Sequence, residues 1–453
     1  MTKLDKTAIS AIVILCALIG AVIFWGSRVP VQVTCIQPVN CSEISAHGGM
    51  IFEFSRPVDP ARLDSVWQII PATQGKWLQI DDRHSRWIST TPIKQFAPIS
   101  FGFKPGVVGQ ESESIASQIS WSAKIRKSTI IAVNSSDKET ELYLLDPLGK
   151  QKPVQLTHTG GKTFDYDVDP LGDIIVFTAI NEQNGSDIWK INRDGSGQAL
   201  LLNCGVDRCT APVWSPKRDE IAFTREISDP VKKGALGAPR IWMLNPQSGA
   251  TGPLFEDKQQ IGYGTSWSAD GIWLSIWDGM SGGIKIVNRQ SGQNFIVQSS
   301  SGNSGCWSVD QKSLVFANTI VRDTGYHNVI LKVKVDDQSI VTLLGENSES
   351  GGTSFDNPQC NPLDERLALT VQPNIKIPGR ALVIFDPGTQ KQMTVVNDLS
   401  LIPGQYSWDA SGASLVFQLD QLTSAQGKTR ILVWENGKTQ TIAEGFRFPK
   451  WLP

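Results

Sequence analysis

The chain has 453 residues, 42 Lys plus Arg against 44 Asp plus Glu, and a formal net charge of −2. Near-neutral charge without a long basic run argues against nucleic acid as a partner, because phosphate binding needs a positive surface. With 40 Gly and 25 Pro the composition fits a turn-rich all-β chain long enough for two or three domains.

The N-terminus carries an unbroken apolar stretch from Ala8 to Trp25, preceded by Lys3 and Lys6. Its length sits near the lower limit for a membrane-spanning helix and is long for a signal-peptide core. Gly26-Ser27-Arg28-Val29-Pro30 offers no small-x-small cleavage pattern, and Leu15 before Cys16 is not the small residue that precedes a lipidated cysteine. The reading is an uncleaved single-pass anchor over 8–25 with a cytoplasmic stub at 1–7, the alternative being a removed signal peptide. The preceding lysines put the bulk of the chain on the extracytoplasmic side. Close cysteine pairs agree with that compartment: Cys35 with Cys41, and Cys204 with Cys209, are expected as small-loop disulfides. Cys306 and Cys360 are expected to point opposite ways and to stay free thiols.

Residues 31–115 hold short alternating strands around Met50–Phe54, Val66–Pro71, Trp77–Ile80, Arg86–Thr90 and Ile99–Phe103, the pattern of a β-sandwich. The run Phe52-Glu53-Phe54-Ser55-Arg56-Pro57-Val58-Asp59 followed by Ile70-Pro71 resembles bacterial Ig-like domains of surface and envelope proteins. That resemblance implies a spacer or adhesion module. Gly109 to Ser120 is taken as the hinge to the C-terminal region.

From 116 to 453 the chain repeats. Trp121, Trp214, Trp267, Trp307, Trp408 and Trp451 each stand beside a small polar turn, just before a short apolar strand, and Val168 and Cys360 occupy the same slot without the ring. The eight slots are spaced by 47, 46, 53, 40, 53, 48 and 43 residues. A second column comes after each slot: Leu142–Asp146, Ile188–Asn192, Ile241–Asn245, Ile284–Asn288, Leu382–Asp386 and Ile431–Glu435, with Val329–Asp336 a blurred copy. A period of roughly 40 to 50 residues with four strands per unit is that of a β-propeller. Seven blades are expected, six or eight being the alternatives. The surplus slot implies ring closure, Trp121 or Trp451 completing the first blade. The tryptophans are expected to pack between blades, since Val168 and Cys360 fill the slot without a ring.

The phrase Trp214-Ser215-Pro216 through Ile221-Ala222-Phe223, with Ile241–Asn245 and Gln155-Leu156-Thr157, is similar to the repeats of the TolB-type family. The resemblance implies a propeller that binds partners. TolB itself carries an α/β domain before its propeller, whereas this chain has the strand-rich segment and the apolar stretch.

Candidates for chemistry are few. Asp165, Asp167 and Asp169 alternate, so in a strand they share one face and want solvent or a cation such as Ca²⁺. Lys232 and Lys233, in a long excursion of the third blade, are the binding candidates. Of four histidines (His47, His84, His158, His327) only two fall in the propeller, too few for a metal-binding lyase channel, and no Gly-x-Ser-x-Gly elbow marks a hydrolase. No catalytic residue, metal or cofactor is assigned. The expected function is a membrane-anchored extracytoplasmic binding or scaffolding protein with envelope proteins as partners. The alternatives are a propeller enzyme of lyase or glycosidase type acting on an envelope polymer, and a structural part of an envelope assembly.

Overall fold

The computed structural model describes residues 14–16, 30–37, 41–45, 48–89, 93, 98–109, 113–126, 128–134, 139–229, 231–232, 234–323, 325–345, 352–374, 376–422 and 429–453. Of the apolar stretch 8–25 only Ile14, Leu15 and Cys16 are described, and they are helical. Among the described residues no helix is long and apolar enough to cross a membrane. The chain is all-β and divides into two compact units, 1–127 and 128–453.

The first unit is two four-stranded sheets. One orders Val33–Gln37, Gly48–Phe54, His84–Ser89 and Gly75–Gln79; the other orders Glu43–Ile44, Ile119–Ile125, Pro98–Phe103 and Trp67–Ile70. Alternation along each strand sends Phe52, Phe54, Trp87, Phe101 and Phe103 into one core. A short helix, α1 (Pro60–Val66), leads into the strand Trp67–Ile70. Pro60 fits its first position, where an N–H would be unsatisfied, and the Asp59 carboxylate accepts from Ala61 N–H at 3.0 Å.

Trp121 belongs here and not to the repeat. Its strand pairs antiparallel with Pro98–Phe103, and its ring lies 5.5 Å from Phe52 and 6.0 Å from Phe101. The domain boundary therefore moves from 115/116 to 127/128, and the last two residues of the segment read as a hinge, Ile119 and Ser120, begin a strand of this unit.

In the second unit each slot ends a strand that lines a ring. These inner strands are β1 (Thr163–Val168), β2 (Arg208–Trp214), β3 (Gly262–Trp267), β4 (Cys306–Trp307), β5 (Ser354–Cys360), β6 (Leu401–Trp408) and β7 (Phe446–Leu452). Each is the inner edge of an antiparallel four-stranded meander. The β1 and β2 meanders also touch through one parallel pair, Ser186 with Arg208. The β7 sheet settles the open slot: Phe446–Leu452 pairs with Thr129–Asn134, Ile130 facing Trp451, so the C-terminal segment completes the sheet begun at 129. Tyr166 on β1 donates its hydroxyl to the Ile131 carbonyl at 2.8 Å, and Lys450 Nζ meets Asp167 at 2.8 Å, which joins β7 to β1 and shuts the ring. Closure leaves no sheet edge open between the first and last strands.

One turn recurs because its chemistry recurs. The residue after six of the slots donates its N–H to the carbonyl five positions on: Asp169 to Ile174, Ser215 to Glu220, Ser268 to Trp273, Ser308 to Ser313, Asn361 to Arg366 and Asp409 to Ser414. Several of these side chains also cap the turn. Asp409 Oδ1 takes the N–H of Ala413 and Ser414, and Asn361 Oδ1 takes that of Leu363 and Asp364. The second column makes Asx turns in the same way, as in Asn245 with Gln247 and Ser248, or Asn288 with Gln290 and Ser291.

The cores of this unit lie between sheets. Trp307 sits with Ile284, Ile286 and Val297 of the preceding sheet; Cys360 packs on Val315, Ala317 and Ile330; Trp451 lies among Val416, Ile431 and Val433. The slot residue thus faces the sheet before it. Two indoles also donate backward, Trp307 to the Ser266 carbonyl at 3.0 Å and Trp408 to the Gln359 carbonyl at 3.1 Å.

Cys306 and Cys360 are disulfide-bonded, as are Cys35 with Cys41 and Cys204 with Cys209. The expectation of free thiols at 306 and 360 fails for a geometric reason. They do face opposite ways relative to their own strands. In a ring, however, the forward face of one sheet meets the backward face of the next, so opposite parity brings them together.

Candidate functional site

Antiparallel meanders sort their connections. The turns after the first and third strands of every sheet fall on one end of the ring, here the turn face. The connections after the second and fourth strands fall on the other, the loop face.

The acidic run lies toward the turn face, and its three carboxylates do share one direction, toward β2. Asp165 Oδ2 accepts from Ala211 N–H at 3.2 Å, and Asp167 Oδ2 from Trp214 N–H at 2.9 Å. Asp169, 1% exposed, accepts from Asp173 and Ile174 N–H and pairs with Arg218 at 2.5 Å. Burial raises the Asp165 carboxyl above its usual range, against the opposing pull of the Ala211 N–H and Lys450. Burial likewise raises Asp169, with the Arg218 charge opposing. Backbone N–H groups and cationic side chains are thus the partners of this run. Among the described residues no group of three or more metal-ligating side chains is assembled.

Polar ties cross successive sheet boundaries on the turn face. Arg193 reaches Thr129 Oγ1 at 3.1 Å and the Leu452 carbonyl at 3.3 Å. Arg218 meets Asp169, and Arg289 meets Glu220 at 2.9 Å. Lys332 and Ser308 both bind Glu365 Oε2, at 2.9 and 3.0 Å. Arg366 and Asn361 both donate to the Gly412 carbonyl, and Gln440 donates to the Leu148 carbonyl at 3.0 Å. A cavity of about 370 Å³ opens at the channel mouth between β1, β5, β6 and β7, lined by Asp167, Gln359, Cys360, Ser407, Trp408, Lys450 and Trp451 among others.

The loop face differs in kind. Its second-to-third connections display Val231, Leu236, Met280, Val321, Tyr326 and Ile377, with Val231 at 88% and Val321 and Tyr326 each at 75% exposure. The turn face shows Leu148 and Leu363, at 49% and 36%. Lys232 is exposed on the loop-face excursion, which is ordered by Asp229 accepting from the Val231 and Lys232 N–H groups. Lys233 lies outside the described residues, as does His47.

The strongest feature of this face is a ribbon. Strands Ser313–Arg322 and Gly325–Lys334 pair along their full lengths, Val321 opposite Tyr326 and Thr319 opposite Asn328. Their neighbours stop short: β4 pairs only with Leu314 and Val315, and Ile340–Leu344 reaches only to Ile330. The ribbon therefore projects beyond its own sheet. Thr319 Oγ1 and Asn328 Oδ1 bond at 2.8 Å on it, while His327, turned the other way, is buried. Sequence reading met this stretch as the blurred repeat copy and did not mark it as a site; the signal was the extra length between Leu314 and Lys334. Of the other histidines, His158 is exposed, and His84 in the first unit pairs with Asp81 at 2.8 Å.

No family model matches the chain, and none of the curated proteins does. Solved structures similar to it include TolB from Acinetobacter baumannii, 15% identical over 72% of this chain and 82% of that one, with a TM-score of 0.41. The β-propeller domain of the Trilobed protease from Pyrococcus furiosus is 19% identical over 63% and 85%, with a TM-score of 0.47. An oligogalacturonate lyase from Vibrio parahaemolyticus is 13% identical over 70% and 87%, with a TM-score of 0.45. The likeness is one of β-propeller architecture.

Proposed function

We propose that the chain is a non-enzymatic binding or scaffolding protein of the cell envelope, held at the membrane by residues 8–25, with its bulk in an extracytoplasmic compartment. The first unit is an Ig-like spacer, and the ring is a seven-bladed propeller that docks envelope proteins on its loop face. The observation that carries this is the division of labour between the two faces. Polar side chains of the turn face bind neighbouring sheets, while the loop face presents large apolar side chains to solvent. Concentrated exposed apolar surface marks interaction sites, and loops on a rigid scaffold commonly carry binding. Three disulfides support an oxidising compartment.

The test is site-specific photo-crosslinking of the full chain in its native envelope, with the reactive group at Tyr326 or at Leu363. A defined protein adduct from Tyr326 and none from Leu363 supports the reading. Equal labelling from both, or none from either, sinks it. Fractionation in the same cells reports the tether: a processed soluble product replaces the anchor with a removed signal peptide.

A further inference from the structure

We propose that the Cys306–Cys360 disulfide is a redox-sensitive clasp that holds the ribbon, and with it the Val321–Tyr326 pair, against the ring. The inference does not depend on what the loop face binds. It begins from an irregularity. The other inner strands run six to eight residues, whereas β4 has two, Cys306 and Trp307. The chain enters β4 through Gly305 at φ +75°, where a Cβ would sit 2.7 Å from the Val315 carbonyl. Before that point, two bonds involving side chains tie the segment to the ribbon: Ser299 Oγ donates to the Ala317 carbonyl at 2.9 Å, and the Ser300 N–H donates to Asn318 Oδ1 at 3.1 Å.

A strand that short has few backbone hydrogen bonds with which to hold its place. The disulfide supplies a covalent tie at the same spot. Among the described residues it is the one disulfide that joins two inner strands, since Cys204–Cys209 closes a separation of only 5 residues at the entry to β2 and Cys35–Cys41 lies in the first unit. The same bond anchors the ribbon, because Cys306, Val315, Ala317 and Ile330 share one core with Phe355 of β5, and Asn328 N–H donates to Ser354 Oγ at 2.8 Å.

Cys360 lines the open cavity on the turn face and is half-buried, whereas Cys306 is buried, as are Cys204 and Cys209. A thiolate of a dithiol entering the cavity attacks Cys360 Sγ and expels the Cys306 thiolate. The second thiolate of the reagent then attacks the mixed disulfide, forms the reagent's own disulfide and releases Cys360. Two electrons pass to the cysteine sulfurs, which take up two protons.

The experiment uses the full-length chain, limiting dithiothreitol, differential thiol alkylation read by mass spectrometry, and amide hydrogen exchange. The expected result is that Cys306 and Cys360 become alkylated before Cys204 and Cys209. Exchange across 299–329 then quickens at least about tenfold more than exchange in the Leu367–Gln372 and Ala381–Asp386 strands. The double variant Cys306→Ser with Cys360→Ser reproduces this without reductant, and Cys204→Ser with Cys209→Ser does not. Reduction at 306 and 360 without faster exchange in 299–329 overturns the clasp. So does an equal quickening throughout the ring, or alkylation of Cys204 and Cys209 first.

Discussion

The two faces of the ring are built from the same repeat yet differ in what they do with polar and apolar atoms. On the turn face the connections are short and near-identical. Each is closed by its own backbone bond, and Arg193, Arg218, Arg289, Lys332 and Arg366 reach across sheet boundaries. On the loop face the described connections vary in length, and several carry exposed apolar side chains. The difference teaches that stability and recognition need not compete in a propeller. The turn that must recur to build the ring sits at one end, which frees the other end to vary.

The largest effects belong to residues that hold the ring. Removing the Cys306–Cys360 bond releases a separation of 54 residues, for which the chain-entropy model gives about 4 kcal/mol of lost stability. Urea titration of oxidised parent and double serine variant checks this. Arg218→Ala leaves the buried Asp169 carboxylate without its cationic partner and should cost roughly 3 kcal/mol, removal of one partner from a buried pair being far worse than never having had it. A loss within about 0.5 kcal/mol, the range of an ordinary surface change, would show that the turn face is not where the ring is tied.

A smaller effect is expected from pH. Burial raises the folded-state pKa of Asp165 above that of the unfolded chain, so the folded state binds the proton more tightly. Its favourable contribution is complete below about pH 4 and is lost as pH rises through the raised value. The stability of Asp165→Asn relative to the parent should therefore increase between acid and neutral pH. A flat difference would mean that the Ala211 N–H and Lys450 offset the burial fully.

The smallest effect on stability should come from the loop face. Val321→Ser with Tyr326→Ser should change the urea midpoint by no more than the equivalent of about 0.5 kcal/mol, since both side chains project into solvent. A larger loss would move the ribbon to the structural side of the comparison.

How much of the molecule was legible in the sequence depends on how local each cause is. The ring was legible because its turn is local: an Asp, Asn or Ser after the slot and a glycine-bearing Asx turn after the second column are written within a few residues. The shared direction of Asp165, Asp167 and Asp169 was legible from alternation. Their partners Ala211, Trp214 and Arg218 were not, because these lie in the next repeat and meet the carboxylates only when β2 packs beside β1. The Cys306–Cys360 bond was misjudged for a related reason, parity within one sheet saying nothing until the facing sheet is placed. Trp121 misled because a sandwich strand offers the same alternation of ring and serine as a propeller slot. The ribbon left only a length excess, and its projection depends on where β4 stops. The apolar stretch 8–25 lies almost wholly outside the described residues, so its role rests on sequence alone.

The most direct test is to measure binding of the photo-crosslinked partner to two purified double variants, Val321→Ser with Tyr326→Ser on the loop face and Leu148→Ser with Leu363→Ser on the turn face. The account predicts at least about a tenfold loss of affinity, near 1.4 kcal/mol, for the first pair and parental affinity for the second. Loss confined to the turn-face pair, or equal loss in both, would contradict it.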